Sequence, residues 1–369
     1  MKMKAAVIWE KDGDFKLQDV ELAEPKATEV LVRVVGAGVC HTDATVRNQS
    51  VPTPLPAILG HEGSGIVEKV GEAVRDVKVG DRVVLTFYTC GHCAACRSGH
   101  PTGCEMYGPV NFSGLHGDFT PRHSIDGQTV SGFFAQGSFA EYAVVDENAC
   151  VVIKDDDVDI GLLGPLGCGI MTGAGAVANS LKPEVGGSIA VFGCGAVGLS
   201  AVMMAKAMGC STIIGIDAVD SRLELAKELG CTHVINGKQV NDIPGMIMEI
   251  TGGGADCSLD TSAVPALMLD AINCLKIYGS AAVVGTSGDK VVPIVMQDMI
   301  MGRGRTLKGC IEGDADPKTF IPRLVSLYKQ GRFPFDRLIV EYPFDQIGQA
   351  FDDSKNGKSI KPILRISQA

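Results

Sequence analysis

The chain has 369 residues, a length that favours two domains of ordinary size, and its 46% hydrophobic and 21% charged residues are in globular balance. A net charge of −10 argues against nucleic acid or an anionic membrane as partner. No apolar run approaches the roughly eighteen residues a spanning helix needs, so no membrane segment is expected. The thirteen cysteines would suggest a disulfide framework in a small secreted domain. In a chain this long, whose first residues carry too short an apolar run for an export signal, they suggest metal in a reducing compartment, and a cytoplasmic location is expected.

The first residues, Lys4–Trp9 and Glu29–Val35, are rich in Val and Ile and read as strands. Segments 63–70 and 79–87 continue the pattern, so the N-terminal part is an irregular β-rich domain rather than a βαβ unit. Between Glu29–Val35 and 63–70 lies Cys40-His41-Thr42-Asp43, followed some twenty residues on by Gly60-His61-Glu62. A thiolate, an imidazole and a carboxylate so close together are ligand types that zinc favours, and a catalytic zinc takes three protein ligands and keeps one position open. The plain alternative makes Cys40 a buried small apolar residue and His61 a hydrogen-bonded loop histidine.

Cys90-x2-Cys93-x2-Cys96-x7-Cys104 is the most specific signal in the sequence. Four thiolates at such spacings wrap one tetrahedral ion, and with every position filled by protein the site is structural. A ferredoxin cluster also opens with Cys-x2-Cys-x2-Cys, but there the fourth Cys follows three residues later and precedes Pro. Here seven residues intervene and Glu105 follows, so zinc is expected. Residues 105–136 show no period and read as a long loop, with His116 and His123 as ordinary surface histidines.

Strand-like Ser138–Val145 leads to Gly164-Pro165-Leu166-Gly167-Cys168-Gly169. Then the period changes. An apolar strand, Ser188–Gly193, runs into Gly193-Cys194-Gly195-Ala196-Val197-Gly198, a helix follows from Leu199 to Met208, and a strand over Thr212–Ile216 ends at Asp217. Gly-x-Gly-x-x-Gly is weak alone. Between strand and helix, with an acid nineteen residues after the last glycine, it marks a dinucleotide site. Gly193, Gly195 and Gly198 let the backbone approach a pyrophosphate at the helix N-terminus. Asp217 accepts hydrogen bonds from the ribose hydroxyls and would repel a 2′-phosphate, favouring NAD over NADP, although Arg222 nearby could accept such a phosphate. Alternation continues with helix 220–229, strand His233–Ile235, helix 240–251, strand Asp256–Asp260, helix 264–274, and strands Ser280–Gly285 and Thr306–Ile311. Six strands with crossover helices make a doubly wound parallel sheet. Helix-like Pro317–Lys329 and Phe344–Asp353 and a last strand near 362–366 complete the chain.

Gly60-His61-Glu62 continues through Gly65, Gly71 and Val74, and this pattern, with the four-cysteine lobe and the glycine loop, resembles the zinc-dependent medium-chain alcohol dehydrogenases along nearly the whole chain. The resemblance implies an α/β protein: a GroES-like catalytic domain over 1–169 and 312–369 and a six-stranded Rossmann domain over 170–311, with the active site in the cleft between them. It implies a catalytic zinc on Cys40, His61 and Cys168, where Cys168 rests on the resemblance alone, and a structural zinc on Cys90, Cys93, Cys96 and Cys104. Glu62 resembles a carboxylate that can transiently ligate the metal. Asp43 would orient His61 through its second ring nitrogen, or instead cap a helix. Thr42 would take the alcohol proton. Many relatives place a titrating histidine three residues further on, where this chain has Thr45, so water must complete the relay. Thr172 and Val197 match positions that pack on the nicotinamide. Lys361 and His41 match pyrophosphate-facing basic positions that are often arginine.

Within the family, the chain is most similar to enzymes acting on primary aryl and allylic alcohols, such as the benzyl alcohol dehydrogenases, and the run Val51-Pro52-Thr53-Pro54-Leu55-Pro56 supports that branch, with Val51 at the substrate wall. Glutathione-dependent formaldehyde dehydrogenases and general alcohol dehydrogenases are the alternatives. The former carry an acid and an arginine where this chain has Val51 and Gly108. Zinc-free quinone reductases lack the ligands, and polyol dehydrogenases commonly use a carboxylate at the place of Cys168. The expected partners are a small alcohol or aldehyde and a second copy of the chain, as homodimer or homotetramer.

Overall fold

The computed structural model describes residues 1–368 and divides into two compact units. The first comprises Met1–Cys168, Asp316–Arg323 and the C-terminal segment from Asp336; the second comprises Gly169–Ala315 and Leu324–Phe335. Residues 312–315 and 324–335 thus group with the second unit, whereas the sequence reading assigned 312–369 wholly to the first. No helix among the described residues is long and apolar enough to cross a membrane.

The first unit is built on the strand Glu29–Gly38, whose Val-rich sequence is buried almost throughout. It pairs antiparallel with Gly63–Val70, Tyr142–Asp146 and Lys361–Arg365, and Arg82–Leu85 extends the sheet beyond Gly63–Val70. The register sets Ala37 opposite Gly63 and Gly38 opposite Ile363. The C-terminal end of the central strand and the N-terminal ends of Gly63–Val70 and Lys361–Arg365 therefore meet at one place. A closed barrel of Lys2–Ile8, Lys16–Leu22, His123–Ile125, Gln128–Gly132 and Ala57–Ile58 completes the unit.

Two strands of this barrel come from the segment 105–136 that the sequence reading treated as loop, and this corrects the placement of both histidines in it. His116 and His123 are 1% and 2% exposed. His116 Nδ1 lies 3.2 Å from the carboxylate of Glu29, which also accepts hydrogen bonds from Arg122 at 2.6 and 2.9 Å. His123 is carried inside when its strand pairs with Lys16–Leu22 and Gln128–Gly132, and burial pushes its imidazole down to about 3. Local composition suggested surface; long-range strand pairing decided otherwise.

The second unit is a six-stranded parallel sheet in the order His233–Asn236, Thr212–Asp217, Ser188–Phe192, Ala255–Asp260, Leu275–Val283, Thr306–Gly309. Helices Ala196–Met208, Asp220–Leu229, Ile243–Thr251 and Pro265–Asn273 lie on the crossovers. Every residue of Ser188–Phe192 is buried, as a strand covered on both faces requires. The third helix begins at Ile243 rather than 240 because the Asp242 carboxylate accepts the Gly245 N–H at 2.9 Å and Pro244 occupies the first turn. Strand order reverses between Ser188–Phe192 and Ala255–Asp260, the place where ligands bind such sheets.

Candidate metal centre and dinucleotide loop

Cys40 follows Gly38 by two residues and is the N-cap of helix His41–Arg47. His61 and Glu62 immediately precede the strand that pairs with Glu29–Gly38, and Cys168 follows a turn over Gly164–Gly167. The ligand atoms of Cys40, His61, Glu62 and Cys168 lie within 4.8 Å of one another. Asp43 is not the helix N-cap, which is Cys40, but the third helical residue. Its Oδ2 accepts the Cys40 backbone N–H at 3.1 Å, as the carboxylate of a capping box does, and its Oδ1 pairs with His61 Nδ1 at 3.0 Å and with the Gly60 N–H at 3.0 Å. That bond leaves His61 Nε2 as the outward nitrogen. It is buried and has no hydrogen-bond partner among the described residues, which is what a nitrogen waiting for a metal should look like. Two thiols, one imidazole with its second nitrogen fixed by a carboxylate, and a neighbouring acid fit zinc.

The electrostatics are those of a largely buried site. Burial would push the His61 imidazole down, but the charge and hydrogen bond of Asp43 hold it well above its ordinary value. Cys40 is held well below the usual thiol range by its hydrogen bond with Cys168, against burial and with help from the Lys361 charge. Glu62, fully buried, is raised by desolvation and partly restrained by Lys361. Lys361 Nζ sits 2.9 Å from both Glu62 oxygens and 3.2 Å from the Val39 carbonyl. Within the first unit this lysine thus has a buried carboxylate as its partner. Thr42 Oγ1 is 3.7 Å from Cys40 Sγ, and the Thr45 hydroxyl donates to the Thr42 carbonyl at 2.8 Å. His41 is exposed, and Val51 is half-buried with its N–H on the Thr45 carbonyl at 3.1 Å.

An aromatic wall that no spacing in the sequence announces lies against His61. The His61 ring contacts Phe134 at 4.9 Å and Phe133 at 5.4 Å, and Phe112 and Tyr107 pack on Phe134 at 5.4 and 6.2 Å. Phe134 has φ 57° and Ala135 φ 50°, left-handed backbone that a bulky residue adopts only when its surroundings hold it there. The one local clue was a Phe-Phe pair between Gly132 and Gly137.

The ligand atoms of Cys90, Cys93, Cys96 and Cys104 also lie within 4.8 Å of one another. Backbone N–H groups of Cys93 and Cys90 point at the sulfurs of Cys90 and Cys104 at 3.3 Å, and that of Met106 at Cys104 at 3.4 Å. None of the thirteen cysteines is in a disulfide. Four converging thiols with amide donors on their sulfurs fit a closed, structural zinc.

In the second unit the glycine loop has the form that a pyrophosphate needs. Gly193 has φ +94°. A Cβ on Gly198 would meet the Gly193 carbonyl at 1.8 Å, whereas one on Gly195 would project into open space, so that the middle glycine leaves room for an approaching group. Asp217 Oδ2 accepts the Cys194 N–H at 2.7 Å, and Oδ1 accepts those of Ala218 and Val219 at 2.7 and 3.0 Å. The acid therefore anchors the loop. Arg222 lies 3.9 Å from Asp217, and its Nε has no partner among the described residues. Val197 is half-buried in the first helical turn, and the Thr172 hydroxyl donates to Glu312 at 3.2 Å.

Residues 26–155 match the family model for the alcohol dehydrogenase GroES-like domain, and residues 196–329 match that for zinc-binding dehydrogenases. The chain belongs to the zinc-binding, medium-chain alcohol dehydrogenase family. It is 44% identical to a geraniol dehydrogenase of Castellaniella defragrans, over 98% of this chain and 97% of that protein. Among solved structures it resembles benzyl alcohol dehydrogenase of Acinetobacter calcoaceticus (46% identity, TM-score 0.95) and an alcohol dehydrogenase zinc-binding domain protein of Burkholderia ambifaria (47%, 0.97), each over 100% of both chains.

Proposed function

We propose that this alcohol dehydrogenase interconverts primary aryl or allylic alcohols and their aldehydes, with NAD as hydride carrier and two zinc ions per chain. The observation that carries this reading is the Cys40–His61–Cys168 set, its histidine and Cys168 buried, with aromatic rings packed on the histidine. Zinc bound there would supply a Lewis acid that acidifies the substrate hydroxyl, and NAD would take the hydride from its carbon. The protein's own contribution is positional and protonic. Asp43 fixes the His61 tautomer; the Thr42 hydroxyl receives the alcohol proton; Thr45, committed to the Thr42 carbonyl and unable to titrate, leaves its exit to water. Glu62, balanced by Lys361, is a carboxylate in reserve beside the ligand set.

The aromatic wall supports an apolar substrate body, and neither Val51 nor Gly108 offers a charge to pair with glutathione. Geraniol is an allylic and benzyl alcohol an aryl primary alcohol, so the two similar enzymes point the same way. The edge strand Thr306–Gly309 is exposed along its length, beside exposed Ile277, Tyr278, Met301 and Ile311. An unpaired apolar edge of this kind supports self-association as homodimer or homotetramer. A cytoplasmic location agrees with thirteen cysteines and no disulfide among them.

Initial rates with NAD and NADP across benzyl alcohol, geraniol, ethanol and formaldehyde with glutathione test the proposal, together with zinc analysis of the purified protein. At roughly 0.8 kcal/mol for each buried methylene, benzyl alcohol and geraniol should exceed ethanol in kcat/KM by orders of magnitude, with two zinc ions per chain. Equal values for ethanol and benzyl alcohol, or strict dependence on glutathione, would overturn the substrate assignment. One zinc per chain would overturn the metal assignment.

A further inference from the structure

Two buried polar side chains, neither of them a ligand, join the backbone segments that carry the ligands. The Gln136 side-chain amide donates to the His61 carbonyl at 3.1 Å and to the Thr86 carbonyl at 3.2 Å. The Thr86 hydroxyl donates to the carbonyl of Gly167, the residue before Cys168, at 2.8 Å. Gln136 and Thr86 are fully buried and His61 is 1% exposed. A continuous tie therefore runs from His61 through Gln136 and Thr86 to Gly167-Cys168. On the other side Asp43 ties His61 to Cys40. His61 is the hub of two struts, one to each sulfur.

Satisfying the glutamine itself does not explain its place. Its Oε1 is buried without a partner among the described residues, and a buried unpaired acceptor is a cost that an apolar side chain of equal length would avoid. Nor is the local backbone relaxed: Phe134 and Ala135, directly before it, are both left-handed. That conformation sets Phe134 against the His61 ring and Gln136 between the two carbonyls. Strained backbone and a half-satisfied amide in the three-residue stretch Phe134–Gln136 both serve the position of His61.

We propose that Gln136 and Thr86 are positioning residues that hold His61 and Cys168 at metal-binding separation and so set how fast the metal leaves. The inference rests on the zinc reading of Cys40, His61 and Cys168. It places the control of metal retention partly in Thr86, on the segment after strand Arg82–Leu85, and partly in Gln136, which follows the barrel strand Gln128–Gly132.

The test uses the full-length, zinc-loaded protein and three variants: Gln136→Met, which keeps length but removes the donors; Thr86→Val, which keeps shape but removes the hydroxyl; and Thr86→Ser, which restores it. Zinc release into a chromogenic chelator gives one phase for each set, and cobalt substitution identifies them, because a mixed sulfur–nitrogen site and a four-sulfur site absorb differently. Gln136→Met and Thr86→Val should speed release from the mixed set roughly 10- to 100-fold, the range for lost outer-sphere partners, and shift its cobalt band. Thr86→Ser should behave as wild type, and the four-cysteine phase should not move in any variant. Wild-type release rates from the mixed set in both donor-deleted variants, even with lowered denaturation midpoints, would make the pair ordinary core and refute the proposal. A wild-type protein that binds metal only at the four cysteines would instead sink the zinc reading beneath it. Should Gln136→Met fail to fold, Thr86→Val, which deletes a single hydroxyl at constant volume, decides alone.

Discussion

Replacing Lys361 by methionine separates two roles for that residue. Family resemblance sets it against the coenzyme pyrophosphate, while the structure sets its ammonium 2.9 Å from each oxygen of Glu62, with side chains 3% and 0% exposed. At an effective dielectric near 20, unit charges at that distance attract by about 6 kcal/mol before desolvation is subtracted. Deleting one partner of a buried pair typically costs about 3–5 kcal/mol, because the other charge stays behind without compensation. Lys361→Met should therefore destabilise the first unit by about that amount, and adding Glu62→Gln should recover most of it, giving a large coupling in the double-mutant cycle. The chain's one tryptophan, Trp9, lies in the first unit, so urea denaturation followed by tryptophan fluorescence reads the affected part directly. The KM for NAD is measured on the same proteins. A variant that keeps the wild-type midpoint while its KM for NAD rises would refute the ion-pair argument and favour the pyrophosphate role.

Asp217→Ala removes both the ribose acceptor and the anchor of the Cys194 N–H. At about 1.5–3 kcal/mol for hydrogen bonds to a charged group, its KM for NAD should rise roughly 10- to 100-fold and the gap to NADP should narrow, and wild type that used NADP as well as NAD would contradict the assignment. Thr42→Ala should lower kcat by roughly 100-fold or more, while Thr45→His should introduce a titration near the imidazole reference of about 6.5; wild-type kcat in Thr42→Ala would rule out the proton relay. Burial would raise the Glu29 carboxyl, but hydrogen bonds from His116 and Arg122 hold it down at about 2. A carboxyl with a lowered folded value contributes stability that is present above its unfolded value of about 4.5 and lost as the pH falls from there toward 2, on the order of 3 kcal/mol here. Glu29→Gln should abolish that share of the acid dependence, and an unchanged stability slope between pH 5 and 2 would show that the network does not contribute it.

The Rossmann unit was legible because its physics is local. A strand covered on both faces must be apolar throughout, as Ser188–Phe192 is, and a loop that passes close to a phosphate must spend glycines at fixed offsets, as Gly193, Gly195 and Gly198 do. The barrel was not legible. Ala57–Ile58 contributes two residues, too few for any period, and His123–Ile125 becomes a strand only by pairing with Leu22 and Val130 in sequence-distant segments. The buried Glu29–Arg122–His116 network follows from that closure, since each of its members looks like a surface residue when read with its own neighbours.

The metal site divides along the same line. Cys40 and His61 could be read because coordination dictates residue type, Cys168 only through the family resemblance, and Asp43 because a histidine ligand needs its other nitrogen held. Gln136, Thr86 and Phe134 escaped because what they supply is hydrogen bonds to main-chain carbonyls and a left-handed turn, which many residue types can provide and no spacing announces. Yet the ligand atoms owe their separation to these features and to strand register as much as to their own chemistry. Ala37 opposite Gly63 sets the ends that carry Cys40 and His61 side by side. A slip of one residue in that pair would turn every side chain of the strand to the opposite face, with Cys40, His61 and Glu62 all still in the sequence and no site between them.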